Sequence, residues 1–304
     1  MLRCTFYHPN TTSSTQMHTQ SPQTGTLYVV ATPIGNLADM TPHAVECLKT
    51  VDAIACEDTR TSSTLLRHFG IATPTLAYHD HNADSQTERL LNRLQDGARI
   101  ALISDAGTPL ISDPGYRLVK ACHQAGIRVS PVVGACAAIA ALSVAGLPSD
   151  KFYFYGFLPA KSGARQQALQ DLRTLSATLI FYEAPHRIAE CVADMAAILG
   201  STRTVTLCRE ISKTFETIYQ TDLAGLVEFI AADSNQTRGE MVVVVAGANL
   251  ADHDNAEDAH DELLTRLLAD LSVKKAAQLA ADLTGAKKNA LYQRALFLQD
   301  LKNA

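Results

Sequence analysis

The chain contains no tryptophan, and only 6% of its residues are aromatic. Its core must therefore be built mainly from Val, Leu, Ile and Ala. An apolar content of 47% over 304 residues is enough to bury one. No apolar run approaches the roughly 18 residues that a membrane span needs, so no membrane association is expected. No basic flank leads into an apolar stretch at the N-terminus, so no signal peptide is expected. There is no CxxC. The seven cysteines (Cys4, Cys47, Cys56, Cys122, Cys136, Cys191 and Cys208) lie far apart. An odd, scattered set reads as reduced thiols of a cytoplasmic protein, not as a disulfide framework or a zinc site. Positive charge is also short, with a formal net charge of −5. That argues against a strongly cationic nucleic-acid binder, although a local basic patch would vanish in the sum. GxGxxG after the first strand, GxxxxGK[ST] and GxSxG are all missing. Those absences set aside a Rossmann dinucleotide site, a P-loop and a Ser104 nucleophile elbow.

What is present is alternation. Residues 1–24 are polar, Thr/Ser/Gln-rich and aperiodic, and read as a disordered leader. From Gly25 to about 150, β-branched runs alternate with helical stretches: TLYVVAT, VDAIACE, PTLAY, RIALIS and IRVSPVV each precede a helix. This rhythm predicts βαβ units and a mainly parallel sheet. Helix punctuation agrees: Thr41-Pro42 as N-cap and N1, a capping box at Ser85 and Glu88, and C-terminal glycines at Gly70, Gly97 and Gly126. The stretch 146–164 breaks the rhythm with Gly, Pro and aromatics, so a domain boundary is expected near 149–152. A second α/β unit, 151–249, has adjacent strands with no helix between them, which predicts a mixed sheet. Residues 250–262 read as an acidic linker. The tail, 263–304, carries seven Lys/Arg against three Asp and reads as short helices, a helix-turn-helix or any αα-hairpin cap.

The polar residues collect after the strands of the first unit: TPIGN (32–36), EDTR (57–60), HDHN (79–82), SDAGTP (104–109) and GACA (134–137). In a parallel sheet all five tips share one edge, where ligands of open α/β sheets bind. Each tip alone is ordinary turn chemistry; five together favour a site. His79 and His81, two apart, would point the same way on a strand, but no third ligand accompanies them, so no metal is expected. LISD occurs twice, at 102–105 and 110–113. In the first copy Asp105 turns out at the ligand edge. In the second, Asp113 before Pro114 reads as the N-cap of the next helix.

The motifs TPIGNLAD, EDTR, YHDHN, SDAGTPLISDPGY, FYEAPHR, CREISKTFET and RGEMVVVV, followed by KKAAQLAADLTGAKKNALY, run collinearly from Gly25 to the C-terminus. Together they closely resemble the 16S rRNA 2′-O-ribose cytidine methyltransferase family (ribosomal RNA small subunit methyltransferase I) of the tetrapyrrole-methylase superfamily. The resemblance implies two α/β domains with S-adenosyl-L-methionine (SAM) in the cleft between them, a small helical C-terminal extension, and a cytoplasmic homodimer. It implies methylation of the ribose 2′-oxygen of cytidine 1402 in 16S rRNA, within the 30S subunit. Residue by residue, it implies that Pro33 and Gly35 lie in a first SAM loop. Asp105, Gly107, Thr108 and Ile111 fall in a loop around the methionine moiety, and Gly134, Cys136 and Ala137 in a third loop. Tyr182 and Met241 fall near the adenine. The family commonly has Gly-Pro at the third loop where this chain has Gly134-Ala135, which implies a looser loop.

Methyl transfer from a sulfonium to a hydroxyl is an in-line displacement. It needs alignment and benefits from a base, because a ribose hydroxyl is a weak nucleophile. The candidates are Glu57, Asp58, His79, Asp80 and His81. Asp58 and His79 are expected nearest the ribose, with Arg60 and Asn82 positioning the nucleotide; alternatively, Asp58 and Arg60 simply pair and cap a helix. Glu183, His186, Arg187, Arg209, Glu210 and Lys213 either touch RNA or form a solvated ion-pair cluster. Lys274, Lys275, Lys287, Lys288 and Arg294 either meet rRNA phosphates or line a solvated face. Three other functions stay open: a related methyltransferase acting on a tetrapyrrole or a protein residue, a non-catalytic SAM-binding regulator, and a plain nucleic-acid binder built around the tail.

Overall fold

The structure, a computed structural model, describes residues 25–249 and 260–303. The expected leader, Cys4 and most of the expected linker lie outside the described residues. The chain divides into two compact units between Cys136 and Ala137.

The first unit is built as the alternation predicts. Its elements are β1 (Thr26–Val30), α1 (Pro42–Thr50), β2 (Ala53–Cys56), α2 (Thr59–His68), β3 (Thr75–Ala77), α3 (Ala83–Gln95), β4 (Arg99–Ile103), α4 (Tyr116–Gln124) and β5 (Arg128–Val132). The sheet order is β3-β2-β4-β1-β5, and every pairing is parallel. The chain steps outward from β1 to β3, then returns to insert β4 beside β1. The two directions of travel put helices on opposite faces. Leu48 and Ala44 of α1 and Leu66 of α2 pack with Val30, Ile54 and Ile103 on one face. Leu90 and Leu94 of α3 and Leu118 and Cys122 of α4 pack with Leu27, Ala55 and Leu102 on the other.

Helix punctuation holds in part. Thr41 Oγ1 accepts from the Ala44 N–H at 3.1 Å, with Pro42 in the first turn. Gly70, Gly97 and Gly126 take positive φ just past their helices. The Ser85–Glu88 capping box does not form. Helix α3 starts earlier, at buried Ala83, and the Ser85 hydroxyl donates back to the Asn82 carbonyl at 3.2 Å. Asp113 is not an N-cap either. Gly115, at φ 138°, directly precedes α4, so the chain is still in loop conformation at Asp113 and Pro114.

The second unit begins with α5 (Ala137–Val144), earlier than the boundary expected near 149–152. The reason is packing. This short, almost wholly apolar helix lies on the second sheet. Thr206 Oγ1 donates to the Ala145 carbonyl at 2.8 Å, and Gln220 Nε2 donates to the same carbonyl at 2.7 Å. The stretch read as a boundary contains β6 (Phe152–Phe157), followed by α6 (Ser162–Leu172). The aromatic run FYFYGF is itself strand-forming, but the Gly and Pro residues around it read as a linker. Then come β7 (Thr178–Glu183), α7 (Ile188–Leu199), β8 (Thr204–Arg209), β9 (Thr217–Asp222), α8 (Leu223–Ala232) and β10 (Met241–Val245). The order is β6-β7-β10-β8-β9, with only β6 and β7 parallel, so the sheet is mixed. Helices α6 to α8 cover one face through Leu169, Ile188, Met195 and Leu226.

Helices α9 (Asp261–Asp270), α10 (Val273–Thr284) and α11 (Lys288–Asn303) enclose a small core of Leu264, Ala277, Ala280, Leu291 and Ala295. Gly285, left-handed at φ 72°, ends α10 and makes the turn into α11.

The α5 attachment is testable. Thr206→Val keeps the volume but leaves the buried Ala145 carbonyl one donor short. It is expected to cost about 1–2 kcal/mol in denaturant unfolding of the second unit; an unchanged midpoint would show that the Gln220 donor alone satisfies that carbonyl.

Candidate active site at the C-terminal edge of the first sheet

Strands β1 and β4 are neighbours whose following helices lie on opposite faces, so the edge between them is the topological switch point of the sheet. The tips there are tied together. The Thr32 N–H donates to the Gly107 carbonyl at 2.8 Å, and the Gly107 N–H donates back at 3.1 Å. Thr32 is buried, and its hydroxyl lies 3.4 Å from the Ser104 carbonyl. Sequence reading missed Thr32, because its role is a backbone bridge that any residue type could make. Thr108 Oγ1 donates to the Ala135 carbonyl at 2.8 Å, joining the β4 tip to the β5 tip. The tie is to the Ala135 carbonyl, a backbone contact that Pro and Ala share. A Cβ added at Gly134 would meet the Ala31 Cβ at 2.9 Å, so the loop passes too close to β1 for any side chain. Of the remaining third-loop residues, Cys136 is half-buried in the first unit and Ala137 opens α5 in the second. Gly107, Leu110, Ser112 and Gly115 all have positive φ. Two of these are not glycine, and such strain persists where surroundings enforce it, often at functional sites. Pro33 is buried, Gly35 exposed and Ile111 half-buried.

The β2 and β3 tips lie along the same edge. Asp58 is the N-cap of α2. Its Oδ1 accepts from the Arg60 N–H at 2.8 Å, and its carboxylate takes the Arg60 guanidinium through Nε at 3.2 Å and Nη2 at 2.9 Å. Capping and pairing therefore both occur. The Arg60 side chain holds the Asp58 carboxyl below its ordinary range. The Asp58 N–H points at Asp105 Oδ1, 3.3 Å away, which links the β2 and β4 tips. At the β3 tip, Asn82 Oδ1 accepts from the His79 N–H at 2.9 Å and its Nδ2 donates to the Ala77 carbonyl at 3.0 Å. Asn82 thus shapes the loop that presents His79. The His79 and His81 rings stand edge to face, 6.0 Å apart, and the buried His79 Nδ1 has no hydrogen-bond partner among the described residues. Among the described residues no group of three His, Cys, Asp or Glu is arranged to hold a metal.

The edge is acidic. Burial, and then the charges of Asp105, Asp113, Asp80 and Asp58, push the Glu57 carboxyl upward. Burial pushes Asp113 up to about 6, against a side-chain hydrogen bond from Ser104 that lowers it.

The second unit places its candidates by itself. The Tyr182 hydroxyl accepts from the Ala138 N–H at 3.1 Å, with the Phe154 and Phe157 rings 5.0 and 5.7 Å from its ring. Met241 pairs with Glu183, not Tyr182, and its side chain is buried among α6 to α8. Tyr182 and Met241 therefore face opposite sides of the sheet, because side chains alternate along a strand. Buried Glu183 forms an ion pair with Arg187, Oε1 to Nε 3.2 Å apart, and Arg187 Nη2 donates to the Leu158 carbonyl. Lys213 bridges Glu210 and Glu240 at 2.9 and 3.1 Å, and Arg209 donates to Thr217 at 2.9 Å. Glu183 with Arg187 and Lys213 with Glu210 and Glu240 are local ion pairs; His186 is exposed. In the tail, Arg294 is bonded to Asp261 through Nε at 2.8 Å and Nη2 at 2.7 Å, which joins α11 to α9. Lys274, Lys275, Lys287 and Lys288 are exposed.

A carboxyl whose folded pKa is raised binds its proton more tightly when folded. Its contribution is complete below the unfolded value near 4 and is lost as pH rises through about 6. Asp113→Asn is therefore expected to raise the melting temperature at pH 7.5 but not at pH 4. An equal effect at both pH values would mean that Asp113 carries no buried charge.

Residues 26–227 match the family of Tetrapyrrole (Corrin/Porphyrin) Methylases, and residues 254–299 match the RsmI C-terminal HTH domain. Curated relatives include ribosomal RNA small subunit methyltransferase I of Pseudomonas aeruginosa, 55% identical over 90% of this chain and 97% of that one. The protein of the same name from Escherichia coli O157:H7 is 53% identical over 90% of this chain and 95% of that one. Among solved structures, a diphthine synthase matches with a TM-score of 0.57 at 14% identity, covering 73% of this chain and 89% of that one. A uroporphyrin-III-C-methyltransferase from Thermus thermophilus matches with a TM-score of 0.52 at 17% identity, covering 73% and 94%. These two likenesses speak for the fold alone. The chain belongs to the tetrapyrrole (corrin/porphyrin) methylase family and, within it, to the group of ribosomal RNA small subunit methyltransferase I.

Proposed function

We propose that this protein methylates the ribose 2′-oxygen of a cytidine in 16S rRNA, with SAM as methyl donor, on the 30S subunit and as a cytoplasmic homodimer. The observation that carries this reading is its 50–55% identity, over about 90% of its length, to proteins named for small-subunit ribosomal RNA methylation. The edge geometry makes the chemistry workable. The cradle fits a donor of this kind: Gly134 admits no Cβ, and three strand tips are tied by hydrogen bonds. Pro33, Gly35, Asp105, Gly107, Thr108, Ile111, Gly134, Cys136 and Ala137 would hold it. When bound, SAM supplies an electrophilic methyl group on a sulfonium.

The other roles belong to the chain's own side chains. Asp58 is ionised and occupied by Arg60, so it serves as a brace. It fixes the guanidinium, whose side chain is 90% exposed, for a phosphate of the strand. His79 takes the ribose hydroxyl proton, and Asn82 holds its loop in place. The exposed lysines of α10, α11 and the turn between them meet neighbouring phosphates.

Labelled SAM incubated with purified 30S subunits, and separately with naked 16S rRNA, should place label in a ribose-methylated cytidine. Binding without transfer would favour a regulator. In the same assay His79→Ala should slow transfer about 10²–10⁴-fold with SAM affinity unchanged, and a wild-type rate would remove His79 from the chemistry. Replacing Lys274, Lys275, Lys287 and Lys288 together by Ala should flatten the salt dependence of RNA binding by about 0.7–0.9 in log–log slope per lost phosphate contact. An unchanged slope would leave those lysines a solvated face.

A further inference from the structure

We propose that Tyr116 is a stacking platform for an unpaired RNA base beside the nucleotide that is methylated. This rests on the proposed RNA substrate and adds a residue that reads the strand.

Tyr116 is the first residue of α4 and is 65% exposed in a chain with few aromatics. Its backbone is fixed on both sides. Gly115 before it has φ 138°, and a Cβ there would meet Leu102 and Leu110 at 2.8 and 2.9 Å. Leu118 and Cys122 beyond it are fully buried and anchor the helix. A rigid backbone thus presents a ring that no core contact requires.

Its surroundings suit a nucleotide. Lys120, one turn on, places Nζ 5.9 Å from the centroid of the ring. Arg117 pairs with Asp84 at the start of α3, the helix that follows the His79 loop, so the first turn of α4, which carries Tyr116, lies beside the start of α3. Of the exposed side chains next to Tyr116 on α4, Arg117 and Lys120 are cationic, while Val119 packs on the core, so a base with its phosphates suits the site better than an apolar protein surface, even along an acidic edge.

The chemistry also calls for such a platform. A 2′-hydroxyl in a stacked strand cannot be brought to a sheet edge unless its nucleotide is splayed out, and its neighbour then loses a stacking partner. An exposed aromatic ring restores that contact at any base.

The absence of tryptophan provides a direct probe. In the full-length protein, Tyr116→Trp introduces a single indole, whose emission should be quenched on titration with unmethylated 30S subunits or a naked 16S rRNA fragment. Unchanged emission at saturating RNA overturns the proposal, whether or not the wild type transfers methyl groups, so failure of the methyltransferase reading is read separately. In the methylation assay Tyr116→Ala should raise KM for RNA about 5- to 150-fold, as expected for one lost base stack. kcat at saturation and SAM affinity should change little, and Tyr116→Phe should restore KM to within a few-fold. A KM for Tyr116→Ala within twofold of wild type overturns the proposal, as does an equal loss in Tyr116→Phe.

Discussion

Two backbone hydrogen bonds between Thr32 and Gly107, 2.8 and 3.1 Å long, hold the first unit's ligand edge in shape. They join the tips of β1 and β4, the strands at which the chain changes direction across the sheet. Helices leave those strands toward opposite faces, the arrangement at which open α/β sheets bind ligands. The β5 and β2 tips are fastened to this clamp. Thr108 reaches from the clamped loop to Ala135, and Asp105 reaches to the start of α2 through the Asp58 N–H. The positive φ angles of Leu110 and Ser112 persist because both ends of their loop are fixed.

The electrostatics of the edge divide its carboxyls by role. Asp58 is half-buried, and its hydrogen bonds from Arg60 hold its carboxyl below the ordinary range. Glu57 and Asp113 are partly buried among like charges and hold their protons more tightly than usual. The proposed proton acceptor, His79, stands outside these pairings, in a loop that Asn82 ties back to β3.

Much of this was legible before any coordinates. The βαβ rhythm of 25–132 fixes a parallel sheet, and a parallel sheet puts all five polar tips on one edge. The glycines at 70, 97 and 126 end helices because only a left-handed residue turns the chain there. What was not legible depended on long-range partners. α5 reads as the last helix of the first unit, yet its small side chains fit against β7 and β10, so it belongs to the second. Asp113 has the local sequence of an N-cap, yet Gly115 delays the helix and burial beside Ser104 claims the carboxyl. Arg294 reads as a free cation, yet Asp261, far away in sequence, takes it in two hydrogen bonds.

The sequence by itself determined the family, the alternation of elements and the residue types at each strand tip, because these follow from short-range periodicity and collinear motifs. Tertiary structure alone decided which of those residues are partners. Thr32 meets Gly107, and Tyr182 and Met241 turn to opposite faces, because strand pairing and register set side-chain direction, and no local signal encodes a neighbour seventy residues away.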